Sequence, residues 1–260
     1  MSEMSPNADF KRNRQVYDTF WSSRWRRYWT YGNQSKLKRF RHLMREYGLL
    51  NRDGLAVFDM GFGIGAMLFA FRRSCRLAGL EMSTSAVTQA KRVASRRGYA
   101  SADFQVFQPG VAYPLEWRGK FDLVICSHVL EHIEKPKPVL DELITLLQSG
   151  GYACIAVPIN EKPGDDINHF HWFTEDSFRS LLTVSGIEIL TMQSSDRLYR
   201  LLIPISKWKQ QRPRIWVHIL SKLVNAILAP MPHPVLLGID TALGFLHCRP
   251  TQCFALVRRL

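Results

Sequence analysis

The chain has 260 residues, 46% of them hydrophobic, a length and composition that allow one large α/β domain or two small ones. Its five cysteines are scattered and form no C-x-x-C pair, which suggests neither a disulfide framework nor a zinc site and favours a reducing cytoplasm. Because no apolar run reaches the roughly 18 residues of a spanning helix, we expect a protein that is neither secreted nor transmembrane.

The formal net charge of +13 is concentrated toward the two ends of the chain. From Arg197 to Leu260 there are ten Lys or Arg residues and a single acid, Asp240. Such an excess favours an anionic substrate, an anionic membrane surface or nucleic acid as a partner, although it also suits a solvated surface without any partner.

Residues 1–50 predict a helical segment that lies over the main body as a lid. Residues 9–31 mix arginine with aromatic side chains, and the stretch SKLKRFRHLMREYGLL continues the helical pattern to about Gly48. Three tryptophans in this segment also have the four-residue spacing of a packed helical stripe, namely Trp21, Trp25 and Trp29.

Between residues 51 and 196, short apolar runs alternate with helical stretches. Strands are predicted at residues 55–60, 76–81, 103–107, 121–126, 152–157 and 187–192. Helices are predicted at residues 65–74, 83–97, 136–148 and 174–184. This alternation predicts an α/β fold, in which a mostly parallel sheet carries helices on both faces.

Residues 197–250 predict a helical insertion before the last strand. In IWVHILSKLVNAILA the apolar residues recur at helical spacing, which predicts an amphipathic helix. Its apolar side either packs on the sheet edge or roofs an acceptor pocket. Residues 251–260 then return to the core, where a strand at 252–257 can form an antiparallel hairpin with strand 187–192.

The stretch LAVFDMGFGIGAM joins a strand to a glycine-rich turn that carries Gly61, Gly63 and Gly65. Residues without a Cβ let the backbone approach a ligand closely, so the turn suits a nucleotide. The glycines alone do not distinguish a dinucleotide from an adenosyl cofactor, because the turn matches both the G-x-G-x-x-G/A and the G-x-G-x-G pattern. Glu81 ends the next strand, at the spacing of an acid that binds ribose hydroxyls.

Asp59 favours a positively charged cofactor. This acid stands two residues before Gly61, where a carboxylate would repel a pyrophosphate but would attract the ammonium and sulfonium of S-adenosylmethionine. The order of elements favours the same choice, since some 50 residues precede the glycine unit and only one acid-ended strand follows it before FDLVICSHVLEHI.

Four stretches resemble, in order, the motifs of class I S-adenosylmethionine-dependent methyltransferases. They are VFDMGFGIGAM, GLEMSTSAVTQAKR, FDLVICSHVLEHIEKPKPVLDELITLLQSGGYACIAVP and NHFHWFTEDSFRSLLTVSGIEIL, and they cover about residues 50 to 192. The resemblance is to the small-molecule branch, which includes ubiquinone-type and natural-product O-methyltransferases. It implies a Rossmann-like, seven-stranded sheet with the cofactor at the carboxyl ends of the strands.

The resemblance also implies roles for individual residues of this chain. Asp59 and the three glycines would hold the methionine part of the cofactor, and Glu81 the ribose, with Met82 beside the adenine. Tyr17 resembles a tyrosine that reaches the cofactor carboxylate. After the third strand this chain has FQPGV where relatives carry an acid, so Gln108 or a backbone group would have to bind the adenine amino group.

Methyl transfer from a sulfonium needs alignment, a dry cavity and, for a hydroxyl acceptor, a base. Ser127 and His128 directly follow the fourth strand, next to the expected methyl group, so Ser127 is a cofactor-binding candidate and His128 a base candidate. His169 matches a family histidine near the next helix and is the second base candidate. His132 is expected to pack structurally. Because the second acid of an acid pair is missing near Glu131, we predict no metal.

The long apolar insertion predicts an apolar, amphiphilic or anionic small-molecule acceptor, such as a natural product, a quinone or a lipid-linked sugar. The enzyme would be cytoplasmic and could contact the inner face of a membrane peripherally. An RNA methyltransferase is an alternative because of the positive charge. Against it, the fourth strand ends in CSHV and not in the Asn/Asp-Pro-Pro-aromatic signature of enzymes that N-methylate bases, and no separate RNA-binding module is visible. A non-methylating cofactor-binding protein or cyclase on the same fold is a further alternative.

Overall fold

A seven-stranded sheet organises the chain. The computed structural model describes residues 14, 15, 18, 19, 29–99, 101–108, 113–183, 186–211 and 215–260. The strands are β1 (Ala56–Met60), β2 (Arg76–Glu81), β3 (Ala102–Val106), β4 (Phe121–Ser127), β5 (Leu147–Pro158), β6 (Ile187–Ser195) and β7 (Gln252–Arg259). Their order across the sheet is β3-β2-β1-β4-β5-β7-β6.

Helices cover both faces of this sheet. They are α1 (Tyr31–Glu46), α2 (Thr84–Arg97), α3 (Pro136–Leu146), α4 (Glu175–Leu182), α5 (Arg197–Gln211), α6 (Ile215–Leu228) and α7 (His233–Phe245). Alternate residues of a strand point to opposite faces, so Val57 packs with residues of α1 and α2, whereas Phe58 packs with residues of α3 and α4. The two-sided burial explains why β1 is apolar at four of its five positions, with Asp59 as the exception.

The strand pairing confirms the predicted fold class. β1 to β5 pair in parallel with one another, while β7 lies antiparallel between β5 and β6. The predicted antiparallel hairpin of the sixth and seventh strands is therefore confirmed. The chain between these strands forms α5, α6 and α7, the predicted helical insertion, which packs against α1.

Most predicted elements occur within a few residues of their expected bounds. The helix predicted at 83–97 begins after the N-cap Ser83, whose hydroxyl accepts the Ala86 N–H at 3.2 Å, and ends at Gly98 in a left-handed conformation. Most of the helices predicted over residues 9–31 lie outside the described residues.

The helix predicted at residues 65–74 is wrong. Only Leu68–Ala70 is helical there, as a short 3-10 turn. Gly65 has φ +74, which cannot begin a right-handed helix, and Phe71 turns inward into the core. Arg72 and Ser74 then donate hydrogen bonds to Asp53, at 2.5 and 2.6 Å, and hold the chain in the turn that leads into β2.

Within the described residues, no single helix is long and apolar enough to cross a membrane. The consecutive helices α6 and α7 would together have the required length and composition, but they are bent by 111° at the break between them.

Gly79 provides a test of the close packing between β1, β2 and the glycine turn. A Cβ at this position would lie 2.6 Å from Phe62 Cδ1 and 2.8 Å from the Asp59 carbonyl oxygen. We expect Gly79→Ala to lower the free energy of unfolding by about 1 to 3 kcal/mol, measured by urea denaturation followed by circular dichroism.

Gly238→Ala is the matched control, because this glycine lies inside α7 and an added Cβ meets nothing within 4 Å. The control should gain about 0.5 to 1 kcal/mol from the higher helix propensity of alanine. Equal midpoints for Gly79→Ala and the unchanged protein would contradict the packing described for the turn.

Candidate active site

Two buried carboxylates lie at the carboxyl ends of neighbouring strands. Asp59 is the fourth residue of β1 and is 3% exposed, and Glu81 is the last residue of β2 and is 5% exposed. The Glu81 carboxylate accepts the backbone N–H of Gly63 at 2.7 Å and that of Ser83 at 3.0 Å. Glu81 therefore fixes the glycine turn as well as being placed to bind a ligand.

The electrostatics of this pair favour a cation. Burial raises the pKa of Asp59 well above its usual range, and the charge of Glu81 raises it further. Burial also raises the pKa of Glu81, although hydrogen bonds from Ser83, Gly63 and Met82 oppose that shift. Ionising two neighbouring buried carboxyl groups costs free energy. A positive charge between them lowers that cost and makes the ionised pair favourable.

The turn beside these acids requires glycine. Gly61, Gly63 and Gly65 all have positive φ, at +74, +54 and +74, a conformation that side chains other than glycine rarely adopt. A Cβ on Gly61 would lie 2.5 Å from Val129 Cγ2. The turn therefore touches the segment that follows β4, so the two parts of the site share a wall.

The chain near the amino terminus lies against the end of β2. Asp18 accepts a hydrogen bond from the Ser83 hydroxyl at 2.7 Å and from the Ser85 N–H at 3.2 Å. Arg14 donates to the Thr84 hydroxyl at 2.6 Å. Tyr17 itself lies outside the described residues, so its proposed contact with the cofactor stays a prediction.

The remaining cofactor candidates surround the same strand ends. Met82 is half-buried directly after Glu81, and Ser127 is half-buried at the last position of β4, where it is paired with Ala156 of β5. Gln108 is exposed, two residues after β3. The roles of these three residues stay predictions.

His128 occupies a strained position at the end of β4. Its φ of +55 is unusual for a residue with a side chain, and such strain is concentrated at functional sites. The ring lies between Glu131, at 3.4 Å from Nδ1 to Oε1, and Gln252, at 3.4 Å from Nε2 to Oε1. Burial and the charge of Lys36 lower the pKa of His128, so the neutral imidazole is favoured at neutral pH.

His169 approaches from the loop after β5. The Phe170 N–H donates to the Glu131 carbonyl oxygen at 2.8 Å, which fixes this loop over the turn at Leu130–His132. His169 Nδ1 lies 2.7 Å from Glu161 Oε2, and Nε2 lies 3.8 Å from Asp166 Oδ2. Burial alone would lower the pKa of His169, but these carboxylates outweigh burial and raise it.

Glu131, His132 and His169 bring their side-chain donor atoms within 4.8 Å of one another. Glu131 is 1% exposed, and its Oε2 has no hydrogen-bond partner among the described residues. His132 Nδ1 meets the Asn168 carbonyl oxygen at 3.1 Å, consistent with the packing role expected from the sequence, and its other nitrogen faces Glu131. This cluster has the chemistry to hold a divalent cation, and the absence of a metal stays a prediction.

The sequence analysis missed several charged residues that line this part of the site. Asp196 follows β6, is 5% exposed with φ +70, and accepts hydrogen bonds from Tyr31 and Ser35 at 2.7 and 3.0 Å. Burial raises its pKa to about 6, although the two hydroxyl groups oppose that shift. An acid directly after a strand was a signal available in the sequence, as it was for Asp59 and Glu81.

Lys36 and Glu161 had no such signal. Burial lowers the pKa of Lys36, whereas the charges of Glu131, Asp196 and Glu161 act to raise it. Helix α1 therefore places a cation among the carboxylates of the loop, the β4 end and the β6 end. Gln252 completes the group, because its amide nitrogen lies 3.4 Å from Asp196 while its oxygen faces His128.

The residues described here fit S-adenosylmethionine. The paired acids supply negative charge for its ammonium and sulfonium groups, and the glycine turn has the positive-φ backbone without side chains that a close approach to a ligand needs. When bound, this cofactor supplies a methyl group that is already activated.

Comparison with known proteins shows the family to which the chain belongs. A family model described as "Methyltransferase domain" matches residues 51–208, more than half of the chain. A ubiquinone biosynthesis O-methyltransferase of Psychrobacter arcticus is 30% identical over 111 residues, which are 42% of this chain and 43% of that protein. The match thus spans less than half of that relative's length.

Solved structures share the fold at low sequence identity. The [4+2]-cyclase SpnF has a TM-score of 0.57 and 18% identity, covering 85% of this chain and 80% of its own. A phosphoethanolamine N-methyltransferase of Haemonchus contortus, solved with S-adenosyl-L-methionine, has a TM-score of 0.55 and 15% identity, covering 85% and 52%. On the family match, the chain belongs to the methyltransferase domain family, and its core is that of an S-adenosylmethionine-dependent methyltransferase.

Proposed function

We propose that this protein transfers a methyl group from S-adenosylmethionine to a hydroxyl group of a small apolar or amphiphilic acceptor, such as a natural product, a quinone or a lipid-linked sugar. One observation carries the proposal. The glycine turn beside Asp59 touches Val129, the residue between His128 and the Glu131 cluster. A cation pocket and two candidate bases therefore meet at one edge of the sheet.

The cofactor side of the site is assigned to Asp59, Glu81 and the three glycines. Asp59 would attract the positive end of the cofactor, and Glu81 would bind the ribose while it holds Gly63 in place. Asp18 accepts the Ser83 hydroxyl next to Glu81, a contact that supports the proposed lid that excludes water from the reacting groups.

The acceptor side of the site has to align a hydroxyl group and remove its proton. His169 is fixed by Glu161 and has its second nitrogen directed toward Asp166 and Glu131. His128 is neutral and its two nitrogens face Glu131 and Gln252. We assign proton removal to His169, and we assign to His128 the alignment of Glu131 and the acceptor.

The chemical class of the acceptor rests on the helical insertion and on the relatives. The matched relatives are named ubiquinone biosynthesis O-methyltransferases, which favours oxygen as the methylated atom and a ring with an apolar tail as the acceptor. The insertion is rich in apolar side chains and packs next to α1, which carries Lys36 into the site. A cytoplasmic enzyme that contacts the inner face of a membrane fits such an acceptor.

Asp59→Asn tests the cofactor pocket. Removing the charge should weaken S-adenosylmethionine binding about tenfold or more by titration calorimetry, because the cation loses its nearest buried carboxylate. The ligand-free variant should be at least as stable as the original protein. The folded-state pKa of Asp59 is raised, so its contribution to stability is lost as pH rises from about 4 through that pKa.

Asp103→Asn is the control, since Asp103 is an exposed acid on neighbouring β3. Its affinity for the cofactor should match that of the original protein. If the affinity of Asp59→Asn for the cofactor equalled that of the original protein, the assignment of this pocket would be wrong.

His169→Ala tests proton removal. We expect kcat to fall about 100-fold, because a positioned base is lost, while the Kd for S-adenosylmethionine stays the same. Formation of S-adenosylhomocysteine with phenolic acceptors, with and without a prenyl tail, measures the rate. The control is His42→Ala, an exposed histidine that stacks on His233. Undiminished turnover in His169→Ala, or methylation of RNA in place of the phenols, would count against the proposal.

Glu161→Gln tests the same assignment through pH. A base works in its neutral form, so the rate should rise with pH through the raised pKa of His169. Removing the negative charge of Glu161 lowers that pKa, and the rising limb of the kcat profile should move to lower pH. A profile that keeps its position would exclude His169 as the base.

A further inference from the structure

We propose that the outward side of α6 and the exposed side of α7 form a docking surface for an anionic lipid bilayer. The insertion face is defined as Trp216, Ile219, Leu220, Leu223 and Ile227 on α6, with Val235, Phe245 and Leu246 on and after α7. This inference concerns where the protein binds. It rests on the proposed function only in what it implies for delivery of the acceptor.

The insertion face is an unusual surface for a helix that faces water. Its five α6 residues are between 37% and 61% exposed and recur at the spacing of one helix face. Lys222 is the only charged residue at an exposed position of α6 from Trp216 onward, and the exposed positions of α7 carry no charge. Polar side chains normally occupy such positions, and large exposed apolar patches mark interaction sites.

The helix is held in this orientation by specific contacts on its other side. Val217 and Ala229 are buried at its two ends, and the Asn225 side chain accepts the Tyr31 N–H at 2.6 Å. Lys38 of α1 donates to the carbonyl oxygens of Ala229 and Met231 in the connection to α7. The hypothesis that this apolar face packs on the sheet edge is therefore wrong for its five exposed residues.

The charge around the insertion face complements anionic lipid. Asp240 is the single acid between Arg197 and Leu260, and it is buried in ion pairs with Arg197 at 3.1 Å and Arg39 at 3.9 Å. The segment itself thus carries no exposed acid, and Arg258 is a member that pairs with an exposed acid outside it, Glu188 at 2.7 Å. Lys38 lies directly beside the α6 to α7 connection, and Arg41 and Arg45 are exposed on the same helix, α1. A basic rim beside an apolar face is typical of helices that lie in a membrane interface.

The geometry favours a helix pair that lies on the bilayer and does not cross it. α6 has 14 residues and α7 has 13, so each is about 20 Å long against a hydrocarbon core of about 30 Å. The bend of 111° between them also prevents a continuous span. Interfacial binding needs only that the apolar side chains enter the boundary between headgroups and acyl chains.

Co-sedimentation with vesicles tests this inference without any acceptor or cofactor. The full chain is mixed with phosphatidylcholine vesicles, or with vesicles in which a quarter of the lipid is phosphatidylglycerol. We expect binding to the anionic vesicles that weakens with salt, and a loss of about tenfold or more in Leu223→Glu/Ile227→Glu. Both residues are more than half exposed, so the variant should unfold at the same urea concentration as the original protein.

Leu115→Glu/Leu260→Glu is the matched control, because these leucines are 71% and 68% exposed outside the insertion. It should bind the vesicles as the original protein does. The inference would be overturned by three results: no binding to either vesicle, equal loss in both double variants, or a concentration-dependent dimer that only the Leu223→Glu/Ile227→Glu variant abolishes. Failure of methyl transfer would leave the vesicle result intact, so the two proposals can fail separately.

Discussion

The site depends on two carboxylates buried side by side at the ends of β1 and β2. Burial raises the pKa of both acids and the charge of Glu81 raises that of Asp59 further, whereas the Glu81 carboxylate is compensated by backbone N–H groups of Gly63 and Ser83. Within the part of the chain that the structure describes, no comparable hydrogen bond lowers the pKa of Asp59. A buried carboxylate of this kind lowers the stability of the ligand-free protein. A bound ligand of opposite charge offsets that loss, so the group raises the affinity for the ligand at the expense of stability.

The sheet order explains how this pair meets the rest of the site. β1 lies between β2 and β4, at the point where successive connections run to opposite sides of the sheet, which is where ligands bind in open α/β sheets. The register pairs Asp59 with Gly79 on one side and with Ile125 on the other. Only a residue without a side chain fits at Gly79, because Phe62 folds back over it. The packing of the glycine turn and the position of Asp59 therefore both depend on the absence of a side chain at Gly79.

Local patterns predicted the strands, the acids at the ends of β1 and β2 and the antiparallel last hairpin, because burial on both faces leaves a mostly apolar run in the central strands β1, β2, β4, β5 and β7. The helix at residues 65–74 failed because its apolar residues suit a helix, while distant Asp53 holds Arg72 and Ser74 in a turn. Lys36 and Glu161 also escaped prediction. Nothing in a sequence shows that a lysine of the first helix will lie among acids that follow it by more than 90 residues.

The insertion shows a different limit of sequence reasoning. The amphipathic pattern of α6 shows that apolar residues share one side, but it does not show whether that side faces the protein. Tyr31 determines which side of α6 faces the protein, because its N–H donates to Asn225 on α6 while its hydroxyl donates to Asp196 at the site. One residue thus fixes the polar side of the helix inward and connects the insertion to a carboxylate next to Gln252 and His128. The polar side of α6 therefore faces the carboxylates of the site, whereas its apolar side faces outward.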